Sequence, residues 1–375
     1  MRVIGFGTYD VTRHPRVGIL LSGLREQGVE VTDLNVRLGL DTAQRVAMVQ
    51  RPWLVYRLFF RLIRCWWQLA TRSFRQRRGR PVDAVIVGYL GQFDIFLARA
   101  LFPRTTIVLD QLVFGADTAA DRGLGGPTGL RQKALARLDA TSVRAADFVI
   151  IDTEESRSLL SADQRNKAVV VAVGAGAEWF AAGRARPPAD PAAPLRVVFF
   201  GLFTPLQGAD TISAAIAAIA DRGDIQVTMI GTGQDLARAR ATARVNPNVC
   251  WLDWVDSSRL PPVVAAHDVC LGIFGRGPKA LRVVPNKVFQ GAAAGCAIVT
   301  AESAPQRRTL GEHAVFVPPG DPIALARALR GLADDREKVA QLGHAARSLA
   351  VRSFQAGTVV QALHARLIES MREQQ

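Results

Sequence analysis

Cysteine is scarce. The 375-residue chain holds four, Cys65, Cys250, Cys270 and Cys296, scattered without a CxxC spacing or a Cys/His cluster. That excludes a disulfide framework, gives no zinc signature, and leads us to expect a reducing compartment and no metal site. Long apolar runs are missing as well. The stretch that most resembles one, Val288 to Ala301, has 14 residues and contains Gln290, Gly291 and Gly295. A spanning helix needs ~20 apolar residues, so the chain is not expected to cross a bilayer. The opening Met1-Arg2-Val3-Ile4-Gly5 leads straight into an apparent strand and lacks the cationic start and apolar stretch of a secretion leader, so we expect a cytoplasmic protein. Acidic residues are absent from one segment altogether. Residues 51–80 hold nine arginines and no acid, which leaves +5 of the net +14 for the other 345 residues.

The remainder is ordinary globular composition, with 49% hydrophobic and 21% charged residues, and this sets aside disordered and fibrous classes. At ~150 residues per domain the length suggests two domains. Short apolar runs alternate with helix-length segments. Candidate strands fall at residues 2–7, 29–34, 84–87, 106–109, 148–151 and 168–173. After an Ala/Gly/Pro-rich stretch they resume at 195–200, 225–230, 249–252, 269–274, 297–300 and 315–317. The expected fold is α/β, with two doubly wound Rossmann-like domains of parallel sheet facing one another across a cleft. The expected boundaries are 1–180 for the first domain, 181–194 for a linker, 195–355 for the second domain, and 356–375 for a final helix returning to the first. Helical apolar spacing from Asp321 onward predicts two or three closing helices.

Ligands of such folds sit at the carboxyl ends of the strands. In the second domain the first strand runs into Gly201-Leu202-Phe203-Thr204-Pro205-Leu206-Gln207-Gly208, and a helix is expected to begin near Ala209. A glycine-punctuated turn lets backbone N–H groups approach an anion, although glycine in such turns also serves tight geometry alone. Gly231-Thr232-Gly233 repeats the pattern more weakly after the next strand. More specific is a cationic loop with Arg276, Lys279 and Arg282, followed by Pro285-Asn286-Lys287 at a helix start. Lys287 and Gln290, three apart, share a face of that helix. Positive charge at a helix N-terminus suits a diphosphate, on which charge develops as it leaves, while solvated surface arginines are the plainer alternative.

With these residues in place, the chain resembles the group 1 (family 4) glycosyltransferases of the GT-B fold, strongest over Gly201 to Gly208, Pro285-Asn286-Lys287 and Val317-Pro318-Pro319-Gly320-Asp321-Pro322. Gly7-Thr8-Tyr9-Asp10 with His14-Pro15-Arg16 looks like the acceptor-side loop of members acting on polysaccharide or lipid-linked acceptors. The resemblance implies a retaining, metal-independent hexosyltransferase. A UDP- or GDP-sugar would be the donor in the second domain, and a glycan or lipid-linked saccharide the acceptor in the first. The candidate catalytic residues are Lys287, Arg282 and His14, with Asp110 added by its place after a strand. Gly201, Gln207, Gly208, Gly231, Thr232, Gly233, Arg276, Lys279, Asn286 and Gln290 become the donor-binding set. The departures are specific: the family's two glutamates eight apart are Arg282 and Gln290 here, and its basic pair in the glycine turn is Leu202 and Gln207. A weakened or inactive sugar-nucleotide-binding or membrane-docking protein of this fold is therefore the alternative.

Two further readings concern the first domain. Asp110 follows a strand and is placed to orient or deprotonate an acceptor hydroxyl, and His14 lies where the first loop meets its helix; each also suits a structural role. At about 100° per residue, Arg57, Arg61, Arg64, Arg72 and Arg75 fall within one stripe about 80° wide, with Phe59, Leu62, Ile63, Trp66, Leu69 and Phe74 opposite. An arginine-faced helix with such an apolar side suits the surface of an anionic membrane, here the inner face of the cell membrane. A helix packed on its own sheet is the alternative. Nucleic-acid binding is a third reading, but no recognised binding module accompanies it, and no nucleic-acid partner is expected.

Overall fold

The computed structural model describes residues 1–12, 14–39, 55–77, 81–123, 129–186 and 192–373. Within these the chain forms two compact units, Met1–Ala172 with Val359–Gln375, and Val173–Thr358. The boundary falls at Ala172, earlier than the composition suggested. Residues 181–184 are not linker: they complete the helix Ala177–Arg184 in the second unit, whose Trp179 and Phe180 are buried. Composition misled here because alanine and glycine favour a loop only when no apolar face accompanies them. The linker reading of 187–191 lies outside the described residues.

Each unit is built on six parallel strands. The first contains β1 (Arg2–Gly7), β2 (Glu30–Asn35), β3 (Ala84–Val87), β4 (Thr106–Asp110), β5 (Phe148–Ile151) and β6 (Ala168–Val170), in the order β2-β1-β3-β4-β5-β6. The second contains β7 (Leu195–Phe200), β8 (Ile225–Ile230), β9 (Val249–Leu252), β10 (Val269–Leu271), β11 (Ala297–Ala301) and β12 (Ala314–Val317), in the order β12-β11-β10-β7-β8-β9. All twelve expected strands are present. In both sheets the order reverses beside the first strand, the switch point at which α/β sheets open a crevice for ligands. Helices cover the sheets because β3, β4 and β7 are apolar on both faces and must be buried on both.

Two aspartates show why the alternation is so legible. Asp147, before β5, accepts from Ile107 N at 2.8 Å and from Arg99 at 2.7 Å. Asp268, before β10, accepts from Arg196 N at 3.0 Å and pairs with Arg186, Arg196 and Arg336. In each unit a carboxylate ties the entry of one strand to the start of its neighbour. The chain closes with four helices, Pro322–Asp334, Arg336–Ser353, Ala356–Val359 and Gln361–Glu373, rather than two or three. Asp321 and Asp335 cap the first two, each accepting backbone N–H bonds.

The arginine-rich segment is the helix Val55–Arg77, but its apolar side is not one face. Leu62, Cys65, Leu69 and Ser73 are buried against the first unit, and Trp66 packs beside them. Tyr56, Phe59, Phe60, Ile63, Trp67 and Phe74 remain exposed. The sequence reading had merged Leu62, Trp66 and Leu69 with Phe59, Ile63 and Phe74; packing separates them. Arginines 51, 78 and 80, and the side chains of 57 and 77, lie outside the described residues.

Candidate functional site

In the second unit the loops at the carboxyl end of the sheet assemble from three strands. After β7, Pro205–Gln207 forms one turn of 3-10 helix, and Gly208, at φ +69°, starts the helix Ala209–Ala218. A side chain at Gly208 would meet Phe274 C at 2.4 Å, so glycine is required both by the left-handed backbone and by the loop after β10. That loop is held in turn by Phe274 N donating to Gln207 O at 3.0 Å. After β8, Gly231 at φ +130° packs so closely that an added Cβ would lie 1.9 Å from Gly201 O. Phe203 N donates to Thr232 O at 2.9 Å. Gly231, Thr232 and Gly233 thus serve first to pack this loop against the glycine turn, and Thr232 and Gly233 are exposed at its surface.

Lys287 stands apart from the other candidate cations. It lies in the first turn of the helix Asn286–Ala293, is 5% exposed, and turns its ammonium under the glycine turn. Lys287 Nζ donates to Gln207 Oε1 at 2.5 Å and sits 3.7 Å from the centre of the Phe199 ring. It would lie 3.3 Å from a Cβ on Gly201. Burial pulls its pKa down from the ordinary lysine value to about 7, because a charged amine loses hydration with no carboxylate in return. Gln290 is buried on the same helix face, and Asn286 is half-buried at its start.

The expected convergence of cations is only partly realised. Arg276 is exposed, and its stem crosses the space that a side chain on Gly320 would fill. Lys279 and Arg282 are half-buried on the short helix Pro278–Arg282, which packs near the Pro205–Gln207 turn. The structure therefore brings Gly201, Gln207, Gly208 and Lys287 into one cluster.

The carboxyl end of the first sheet is organised around buried polar groups. Asp110, the last residue of β4, has a fully buried side chain paired with Arg16 at 2.8 Å. Arg16 also donates to Val171 O at 3.0 Å. Burial raises the Asp110 and Asp152 carboxyls above the ordinary range, and Asp110 Oδ2, Asp152 Oδ1 and Arg16 Nη1 have no hydrogen-bond partner among the described residues. A carboxylate so enclosed anchors the start of the helix Arg16–Glu26; it is not the solvent-facing base that sequence position suggested. His14 is half-buried and stacks on Tyr89, with ring centres 3.9 Å apart. Beside Tyr89, Leu90 has φ +58°, the one non-glycine residue with positive φ among those described, and such strain collects at functional sites. Sequence reasoning missed Tyr89; the glycine-flanked Gly88-Tyr89-Leu90-Gly91 after a strand was the available signal.

It also missed Asp94. This buried carboxylate accepts from Thr8 N at 2.7 Å and Thr8 Oγ1 at 2.8 Å with one oxygen, and from Trp66 Nε1 at 2.8 Å with the other. Burial raises its pKa, and these donors counter the rise. The loop after β1 and the arginine-rich helix are thus fixed to one side chain. Among the described residues no group of three or more His, Cys, Asp or Glu is placed to hold a metal ion.

Comparison with known proteins agrees with this architecture. Residues 194–335 match the family model described as glycosyl transferases group 1. No curated protein matches the chain significantly in sequence. Among solved structures, the chain is similar over its full length to the sucrose-phosphate synthase of Thermosynechococcus elongatus, with 14% identity, complete coverage of both chains and a TM-score of 0.71. It is similar to Anabaena HepE in complex with UDP and glucose, at 13% identity, 98% and 100% coverage and a TM-score of 0.69. A glycosyltransferase from Rickettsia africae gives 11% identity, 98% coverage of each chain and a TM-score of 0.63. Residues 194–335 are accordingly a domain of the group 1 glycosyl transferases, carried in a chain that has the GT-B fold.

Proposed function

We propose that the protein is a retaining, metal-independent glycosyltransferase. It takes a sugar from a UDP- or GDP-sugar bound by the second unit and delivers it to a glycan or lipid-linked saccharide recognised by the first, at the inner face of the cell membrane. The observation that carries this reading is Lys287, an ammonium buried beneath the glycine turn and in contact with Gln207. Where the resemblance would have a basic pair in that turn, this chain has Leu202 and Gln207, and the positive charge arrives from the helix Asn286–Ala293 instead. That Anabaena HepE, of the same fold, was solved with UDP and glucose supports a nucleotide-sugar donor.

In the reaction an acceptor hydroxyl oxygen attacks the anomeric carbon on the face from which the diphosphate departs. The bond from that carbon to the phosphate oxygen breaks, and the acceptor proton passes to the leaving phosphate. Lys287, charged in the presence of the diphosphate, stabilises the negative charge that grows there, an effect that is large in a site shielded from water. Gln290 is suited to a ribose hydroxyl through its amide. His14, stacked on Tyr89, offers a ring face to the acceptor.

The test is a screen of UDP- and GDP-sugars by melting shift, followed by donor turnover in wild type and Lys287→Ala. A donor-specific shift with turnover reduced at least a hundredfold in the variant is expected. Unchanged sugar transfer by Lys287→Ala removes Lys287 from the mechanism, and a shift without any turnover in the wild type favours the inactive sugar-nucleotide-binding reading.

A further inference from the structure

We propose that the helix Val55–Arg77 docks the first unit onto an anionic lipid bilayer, with Tyr56, Phe59, Phe60, Ile63, Trp67 and Phe74 at the headgroup boundary and Arg61, Arg64, Arg72 and Arg75 against lipid phosphates. This deepens the membrane-face part of the proposed function and rests on it only there; the donor chemistry of the second unit is tested separately.

The helix has three faces: one packs into the fold, and on another Arg72 donates to Asn35 O at 3.1 Å while its neighbours point outward. Leu62, Cys65, Trp66, Leu69 and Ser73 span about 100° of its circumference and hold it to the first unit. Trp66 Nε1 donates to Asp94, and Cys65 and Ser73 are buried, so the attachment is specific rather than a loose contact. The next face, about 100° wide, carries six large apolar side chains that are 45% to 73% exposed. Isolated exposed apolar residues need no explanation, but six on one stripe of one helix form a continuous patch that does. The third face carries Arg61, Arg64, Arg72 and Arg75, all exposed.

Charge decides the occupant. Residues 51–80 contain nine arginines and no acid, so a second copy of the chain would bring the same positive field against itself. An anionic bilayer meets both faces at once: apolar rings enter the boundary region while guanidiniums remain at phosphate level. Tyrosine, tryptophan and phenylalanine beside arginine are the residue types that sit at this depth. No helix among the described residues is long and apolar enough to cross a membrane, so the mode is surface docking. The helix shares Asp94 with Thr8 of the loop after β1, and docking through it fixes the acceptor-side loop relative to the lipid surface.

The experiment is co-sedimentation of the full chain with vesicles of phosphatidylcholine alone and with phosphatidylglycerol added, at low and high salt. Brominated lipids read the depth of Trp67 as the quenching lost in Trp67→Phe. Binding to the anionic vesicles, weakened by salt, with Trp67 quenched, is expected. At ~1 kcal/mol per arginine, each of Arg61→Gln, Arg64→Gln, Arg72→Gln and Arg75→Gln lowers partitioning about fivefold at low salt. Phe59→Ser with Phe60→Ser weakens it without removing its salt dependence, and both variant sets keep the wild-type melting temperature within a few degrees because the altered side chains are exposed. Equal recovery of wild type and variants, or an unquenched Trp67 on bound vesicles, overturns the proposal. So does self-association that the serine variant abolishes while vesicles are ignored. Vesicle binding in a protein that no sugar nucleotide stabilises leaves the docking intact and sinks the transferase reading.

Discussion

Lys287→Met should make the protein more stable and less able to bind its donor, and the stability gain should depend on pH. In the native state burial lowers the pKa of the Lys287 ammonium from the ordinary lysine value to about 7. At ~1.36 kcal/mol per unit, holding it charged below pH 7 costs roughly 5 kcal/mol relative to water. Methionine carries none of this burden but leaves Gln207 Oε1 without its donor, at ~1–3 kcal/mol, so a net gain of ~2–4 kcal/mol remains. The variant should therefore melt several degrees higher at pH 6. The sign of the pH dependence follows from proton counts. Between pH 7 and about 10 the unfolded lysine binds a proton that the folded one does not, so wild-type stability rises with pH and the gap to Lys287→Met narrows. Donor binding supplies the second readout. A diphosphate beside Nζ restores the charge, so binding UDP or GDP should take up more protons at pH 8 than at pH 6, measured by calorimetry in buffers of differing ionisation enthalpy. Lys287→Met should show no such uptake and little affinity. A variant no more stable than wild type at pH 6, or proton uptake that persists without Lys287, refutes the argument.

Three further outcomes are expected. Asp110→Ala leaves Arg16 charged and unpaired in the interior and should lose ~3–5 kcal/mol in urea unfolding, whereas Arg16→Leu combined with Asp110→Leu should recover much of it; a small loss in the single variant would show that the pair is hydrated. Gly231→Ala forces a Cβ onto Gly201 O, so the melting shift with donor should vanish along with several degrees of intrinsic stability, and an unaltered shift would show that the two loops yield. Trp66→Phe removes one donor from buried Asp94 and should cost ~1–3 kcal/mol by urea unfolding. Because Asp94 is then less well satisfied as an anion, the loss should shrink as pH falls and the carboxyl, its pKa raised by burial, becomes protonated, and a pH-independent loss would assign the effect to packing alone.

Much of this protein was legible in its residues. The twelve strands could be placed within a few residues because parallel strands buried on both faces must be short apolar runs, and such runs survive any tertiary context. Periodicity likewise fixed the arginine stripe on Val55–Arg77, since helical geometry alone decides which residues share a side. The glycine turn at 201–208 and the Pro285-Asn286-Lys287 helix start were legible as one end of the second sheet, because backbone chirality and helix termini impose residue types locally. What lay beyond reach were facts about neighbours distant in the chain. Nothing in the order of residues pairs Asp110 with Arg16, or turns Lys287 toward Gln207, 80 positions earlier. Nor does periodicity say that Leu62 and Leu69 face protein while Phe60 and Trp67 face outward, because both pairs are equally apolar. Only packing removes one from water and leaves the other there. The sequence set which side chains could be buried or charged; three-dimensional contact decided which of them carry that burial and charge into function.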